Sequence, residues 1–221
     1  MLWLYVCWVQ VYEPTNIKTR TERKVEIPDR KISEIELEIT SETVLFFDMD
    51  GTIVDTNLAN YLSYKKAIQS ITNSDYHITY NPDKRFNRSN LKKEVLNLSE
   101  VDYKRIIQKK EEYYVDFLNE IKLNNEVSNI LFKYSTTNKT VLVTNCRKDR
   151  ALQILNYFQL SDKFDYIFFR EFDGNEKINK YKNAINKLNI SPNKVIVFEN
   201  ERTEINDAIN AGIDENKILS L

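Results

Sequence analysis

The densest chemistry in the sequence lies in the run Phe46-Phe47-Asp48-Met49-Asp50-Gly51-Thr52-Ile53-Val54-Asp55-Thr56. Two carboxylates, Asp48 and Asp50, follow directly on an apolar stretch, and glycine and threonine follow them. If the apolar stretch is a strand, both acids emerge where it ends and face one site. Two negative charges facing one site are costly unless something neutralises them. A divalent cation does so, and oxygen ligands suit Mg²⁺. Gly51 gives the chain the freedom to turn away from the edge.

The elements that must position these acids are legible in outline. Val44–Asp48 is a short apolar run ending in an acid, the pattern of a buried parallel strand that delivers a side chain to the carboxyl edge of a sheet. Val141–Thr144, Tyr166–Phe169, Val195–Glu199 and Lys217–Leu219 are further runs of this kind. Helical patterns separate them: Arg147–Phe158, with Ala151, Ile154, Leu155 and Phe158 on one face, then Lys180–Leu188 and Thr203–Ala211. Strands alternating with helices predict a doubly wound, Rossmann-like α/β core with a parallel sheet, over residues 43–56 and 139–221.

Residues 57–138 carry helical patterns and almost no strand signal, too much chain for one crossover helix. They predict an inserted α-helical domain over the sheet edge. Within it, Ser99 followed by Asp102 predicts a capped start to a long helix running to about Ile121. Residues 1–42 read as an N-terminal extension. Leu2–Tyr12 is strand-prone, and Glu34–Thr40 alternates apolar and polar residues as a half-buried strand does. No internal repeat is evident.

Composition narrows the function classes. The 221 residues carry 32 Lys plus Arg and 33 Asp plus Glu, so a general nucleic-acid surface is not expected. Cys7 and Cys146 offer neither a disulfide framework nor a zinc site, which predicts a reducing, cytoplasmic setting. The apolar opening Leu2–Val11 falls short of the roughly 20 residues that span a bilayer. It also lacks a basic start and a small-residue cleavage site, so no membrane or secretory role is expected. His77, the single histidine, reads as a surface residue.

Asp-x-Asp-Gly-Thr after an apolar strand resembles the signature of the haloacid dehalogenase (HAD) superfamily, and Val54-Asp55-Thr56 resembles its phosphatase and phosphomutase branch. Val141-Leu142-Val143-Thr144-Asn145 resembles its second element, where a hydroxyl at a helix N-terminus holds a phosphate oxygen; on its own, Thr144 reads as a helix cap. The family's site lysine has two candidates. Counting back from Ala184 and Leu188 slightly favours Lys177, while Lys180 stands at the helix start and is also placed to reach the site. Val197-Phe198-Glu199-Asn200-Glu201, then Ile205, Ala208 and Ala211-Gly212, is similar to the branch pattern Val-Phe-Glu-Asp-Ser, Gly-Ile, Ala-Ala, Ala-Gly. One departure matters: Asn200 stands where the pattern has a metal-binding Asp, and Glu199, Glu201 or Glu204 could supply the missing charge.

The resemblance implies an Mg²⁺-dependent phosphatase acting on a small phosphorylated metabolite or nucleotide. Asp48 would be the nucleophile, ionised, and Asp50 the group that holds and passes the proton. Thr144 and Lys177 or Lys180 would complete the catalytic set, with Gly51, Thr52 and Asn145 against the substrate. Asp48, Asp50, Asn200 and Glu199 would hold the metal. A phosphomutase of the same fold is the alternative, and a non-catalytic scaffold is another, suggested by Asn200. The insertion resembles the family's helical cap. Its basic run, Lys84, Arg85, Arg88, Lys92 and Lys93, reads first as a solvated face and second as a contact for another anionic group.

Overall fold

The computed structural model describes residues 30–72 and 78–221, so the strand read at Leu2–Tyr12, Cys7 and His77 lie outside the described residues. In chain order the elements are α1 (Ile32–Glu36), β1 (Val44–Phe47), β2 (Val54–Asp55), α2 (Asn57–Thr72), α3 (Arg88–Glu94), α4 (Glu100–Tyr113), β3 (Lys122–Leu123), α5 (Asn125–Tyr134) and β4 (Lys139–Val143). They continue with α6 (Lys148–Tyr157), β5 (Tyr166–Phe168), β6 (Phe172–Asp173), β7 (Glu176–Lys177), α7 (Lys180–Leu188), β8 (Val195–Glu199), α8 (Arg202–Asn210) and β9 (Ile218–Ser220).

Five strands form one parallel sheet in the order β5-β4-β1-β8-β9. The chain fills one side of β1 with β4 and β5, then crosses to add β8 and β9 on the other side. β1 is therefore the switch point of the sheet, and a crevice opens at the carboxyl ends of its strands. Phe47 lies in register with both Leu142 and Phe198, so β1, β4 and β8 end together.

Alternation along these strands divides the core into two layers. Leu45, Phe47, Leu142, Ile196, Phe198 and Leu219 face α5 and α6, where Val127, Ile130, Leu131, Ala151, Ile154 and Leu155 meet them. Val44, Phe46, Val141, Val143, Val195 and Val197 face α7 and α8, against Tyr181, Ala184, Ile185, Ile205 and Ala208. Covered on both faces, these strands read as unbroken apolar runs.

The insertion builds its own core from Tyr61, Tyr64, Ala67, Ile68, Phe86, Leu91 and Ile106. Its two connections to the sheet pair with each other as the antiparallel ribbon β2–β3. The stretch read from sequence as insertion, 57–138, also includes α5, which packs on the sheet.

Two local expectations are corrected. Glu34–Thr40 is not a strand: α1 covers Ile32–Glu36. Ile32, Ile35 and Ile39 also fit a helical spacing and turn toward the core, whereas Leu37, which alternation would bury beside Ile35, is 88% exposed. The helix that begins at Ser99 stops at Tyr113, not Ile121. A 3-10 stretch, Tyr114–Glu120, replaces its end and bends at Phe117. Its start is as read: Ser99 Oγ accepts from the Asp102 amide at 3.0 Å. Among the described residues no helix is long and apolar enough to cross a membrane.

Candidate active site

Asp48 sits just past the end of β1, where its amide still donates to the Phe198 carbonyl of β8 at 3.0 Å. Its carboxylate is buried and meets Lys180 Nζ at 2.6 Å. Lys180 is the first residue of α7, whose start is fixed by Asn179 Oδ1 accepting from the Lys182 amide at 3.0 Å. Side chains lean toward a helix's N-terminus, which sends the Lys180 ammonium to the sheet edge. Lys177, slightly favoured by residue counting, is not at Asp48. It belongs to the short β6–β7 hairpin, is partly exposed, and approaches Glu204 at 3.9 Å and Asp207 at 4.0 Å. The hairpin turns the chain before α7, and counting alone does not reveal it.

Lys180 also meets Glu199 at 2.8 Å and makes a close ion pair with Glu204. Three carboxylates thus surround one ammonium. Burial pushes the Asp48 carboxyl well above its usual range; Lys180 opposes that shift, and Glu199 and Glu204 add to it. Burial would lower the Lys180 ammonium, but Asp48, Tyr181, Glu199 and Glu204 hold it well above its usual value.

Glu199, expected to ligate metal, is fully buried and fully engaged. One oxygen accepts from Lys180 and, at 2.6 Å, from the Tyr181 hydroxyl; the other accepts from the Asn200 and Glu201 amides at 2.9 Å each. It is the anchor that fixes Lys180 and the turn after β8.

Asp50 lies among cations. Thr56 donates to it at 2.7 Å, Arg85 of the insertion approaches at 3.3 Å, and Arg150 of α6 at 3.7 Å. Burial alone would raise its carboxyl, but the two guanidiniums outweigh burial and hold it well below its usual range. The surroundings of the two acids differ in kind in this arrangement. The reason is placement: two further acids crowd Asp48, and two arginines from distant segments meet Asp50.

Thr144 is buried at the end of β4 and lines the same cavity. Its Oγ accepts from the Cys146 amide at 3.0 Å, which leaves its hydroxyl proton free to donate. It does not cap α6, whose cap position is Arg147. Asn145 donates from its amide nitrogen to Glu204 at 2.7 Å, while its Oδ1 is buried without a partner.

Gly51 adopts φ +91°, and a Cβ there would run into the Asn200 side-chain amide. Thr52, expected against the substrate, is fully buried behind the cavity and donates to Asn200 Oδ1 at 3.2 Å. Gly51 and Thr52 together seat Asn200.

These residues open on a cavity of about 760 Å³ between the sheet edge and the insertion, lined by Asp48, Asp50, Thr144, Asn145, Asn200 and Glu204. Arg85, Arg88, Lys110, Arg147, Arg150 and Arg170 give it a cationic wall. The basic run of the insertion therefore splits: Arg85 and Arg88 face the cavity, whereas Lys92 pairs with Glu100 on the surface. A concavity of about 620 Å³ against α1, α5 and the last residues is lined by Arg30, Lys31, Lys133, Glu36 and Glu126, and there Lys133 pairs with Glu36 at 2.8 Å. Sequence reading missed Lys110, Arg150 and Tyr181. Lys110 and Arg150 lie in ordinary helical patterns, and Tyr181 looks like one more apolar position of α7.

The model of the family described as haloacid dehalogenase-like hydrolase matches residues 45–216, and the chain belongs to that family. It is 28% identical over 183 residues to a phosphorylated carbohydrates phosphatase of Thermotoga maritima, covering 77% of this chain and 82% of that one. Among solved structures it resembles a protein assigned as a β-phosphoglucomutase from Thermotoga maritima, 26% identical, TM-score 0.61, over 80% of this chain and 83% of that one. It also superimposes on a haloacid dehalogenase-like hydrolase of Streptococcus pneumoniae with TM-score 0.64 at 18% identity, covering 80% and 84% of the two chains. That second likeness speaks for the fold alone.

Proposed function

We propose that this protein is a phosphatase that hydrolyses a small phosphorylated metabolite through an aspartyl-phosphate on Asp48. The observation that carries the reading is Asp48 itself. It stands at the switch point of the sheet, 2.6 Å from Lys180, and opens with Thr144 on a cationic cavity. Phosphoryl transfer asks mainly for positioning and charge neutralisation.

In this reading an Asp48 oxygen attacks phosphorus in line, and the bond to the leaving oxygen breaks. Water then attacks the aspartyl-phosphate, and inorganic phosphate leaves. Splitting the reaction replaces one difficult displacement with two easier ones. Lys180 and the Thr144 hydroxyl hold phosphoryl oxygens. Asp50, ionised beside Arg85 and Arg150, is set to take the proton of the attacking water. To protonate the leaving oxygen in the first step it must first gain a proton, which loosening of the Arg85 pair favours. The donor set is all oxygen and strongly anionic around Asp48, which fits Mg²⁺. Mg²⁺ would be held by Asp48, the Asp50 backbone carbonyl and the Asn200 amide oxygen. When bound, it supplies charge neutralisation at the phosphoryl group.

The Thermotoga maritima phosphatase makes phosphorylated carbohydrates the first class to test. The cationic wall favours members with a second anionic group, such as a sugar bisphosphate or a phosphorylated sugar acid. The test is a panel of these compounds and para-nitrophenyl phosphate with Mg²⁺, run on the wild type and on Asp48→Asn. The expected result is phosphate release by the wild type and none by the variant, with the melting curve unchanged. Equal turnover by the two proteins would sink the proposal.

A further inference from the structure

Three acids, Asp48, Glu199 and Glu204, bring carboxylate oxygens within 4.8 Å of one another. They differ in what they have left to offer. Both oxygens of Glu199 are doubly occupied by Lys180, Tyr181 and two backbone amides, and its side chain does not line the cavity. Asp48 and Glu204 do line it.

The charge at this point is unbalanced. Three carboxylates meet one ammonium, Lys180, so one ammonium cannot balance all three when ionised, in a site where Asp48 and Glu199 are buried. Lys177, partly in solvent and 3.9 Å from Glu204, offsets little of this. The Asn145 amide points to what is lacking. Its nitrogen is spent on Glu204, but its buried Oδ1 has no donor, and buried acceptors are rarely left so. An acceptor without a donor, beside three carboxylates that share one ammonium, calls for a cation.

The sequence shows why the acid is at position 204. Ile205 matches the isoleucine of the branch's Gly-Ile pair, so Glu204 stands where the pattern has glycine, and Asn200 stands where it has aspartate. One acid is lost at 200 and two are gained, Glu201 in place of the pattern's serine and Glu204; of the two, Glu204 is the one whose carboxylate comes within 4.8 Å of those of Asp48 and Glu199. Asn200 is also seated by Thr52 and Gly51, and its amide carries no charge.

We infer that Glu204 replaces the missing acid of position 200, pairing with Asp48 to hold the divalent cation of this site. The inference rests on the phosphatase reading for the presence of that cation; the choice of Glu204 comes from this chain's own geometry. A hard divalent ion, Mg²⁺ or Mn²⁺, suits such an all-oxygen donor set.

The test is Mn²⁺ binding to the full chain, followed by paramagnetic resonance and calorimetry in the absence of substrate. Four proteins are compared: wild type, Glu204→Gln, Asn200→Asp, and the double variant. Glu204→Gln keeps the shape of the side chain and removes only its charge; thermal melts check that each variant folds. Glu204→Gln should weaken Mn²⁺ at least tenfold, and adding Asn200→Asp should restore affinity to within about threefold of wild type. Unchanged affinity in a folded Glu204→Gln overturns the inference. So does weakening that Asn200→Asp fails to relieve. Unchanged Mn²⁺ affinity with tighter inorganic phosphate also overturns it, and makes Glu204 an occupant of the phosphate cradle. The phosphatase reading is judged separately. Wild type that binds Mn²⁺ and hydrolyses para-nitrophenyl phosphate upholds it whatever Glu204→Gln does. Wild type that does neither defeats both.

Discussion

Lys110 is the clearest place to test the electrostatics of the cavity. It lies on α4, 2% exposed, with its ammonium 5.4 Å from the Tyr64 ring centre and 4.9 Å from that of Tyr114. It approaches Glu111 at 3.4 Å. Burial, then the charge of Arg150, pushes its ammonium down from the ordinary 10.5 to about 7. A gap of about 3.5 pH units corresponds to a ceiling of about 5 kcal/mol against holding the charged form, an order-of-magnitude figure.

The sign follows from proton counting. Below about pH 7 both folded and unfolded chains carry the proton, and the fold bears the full penalty. Between about 7 and 10.5 the unfolded chain keeps a proton that the fold has shed, so stability rises with pH by about 1.4 kcal/mol per unit. Lys110→Met keeps an unbranched side chain over the two rings and removes the charge. The variant should be more stable than wild type by several kcal/mol at pH 6, with the advantage fading toward pH 10.5. The Cys146 thiol, which burial pushes up to about 12, works in the opposite direction at high pH but is common to both proteins and cancels in the difference. Urea unfolding at pH 6, 7, 8 and 9 reads this directly. Parallel stability curves for the two proteins would refute the reasoning. Phosphate entering the cavity should also draw a proton onto Lys110 near pH 8, visible in calorimetry as heat that depends on the buffer's ionisation enthalpy.

Other sites give sharp expectations. Gly51→Ala forces a β-carbon onto the Asn200 amide at φ +91°, so it should lose more than the roughly 1–2 kcal/mol of the backbone alone and weaken Mn²⁺ binding. Tyr181→Phe removes the 2.6 Å hydroxyl donor of buried Glu199 and should cost about 1.5–3 kcal/mol in urea unfolding. Ile35→Ala should cost about 2–5 kcal/mol, whereas Leu37→Ala should stay within about 0.5 kcal/mol. Equal losses at Ile35 and Leu37 would restore the strand reading of that segment.

What could be read in the sequence depended on how local each signal was. β1, β4 and β8 are buried on both faces, so their composition announces them, and Asp48, Asp50 and Thr144 inherit their places from the strand ends. The segment Glu34–Thr40 misled because isoleucines at positions 35 and 39 satisfy both a period of two and a helical period; only the core's position decides between them. Lys177 and Lys180 could not be separated by counting because the β6–β7 hairpin folds the chain back before α7. The charged surroundings of Asp48 and Asp50 were out of reach altogether. They depend on Arg85 and Arg150, 35 and 100 positions from Asp50, and on Glu204, 156 positions from Asp48.

Those distant partners also tie the two parts of the molecule together. Arg85 of the insertion meets Asp50 of the core, while Arg150 of the core meets both Asp50 and, at 3.6 Å, Glu111 of the insertion. Exposed ion pairs contribute little, but Asp50, Arg150 and Glu111 are mostly shielded from water. Deleting one partner of such a group strands the charge of the other, and the stranded charge costs more than the lost attraction. The same guanidiniums line the cavity that a phosphorylated substrate would enter. An anion arriving there meets arginines already engaged with Asp50 and Glu111. Its binding energy is therefore set against the ion pairs that hold the insertion on the core. Arg150 stands at the centre of that exchange, because it touches the proposed proton carrier and the insertion at once.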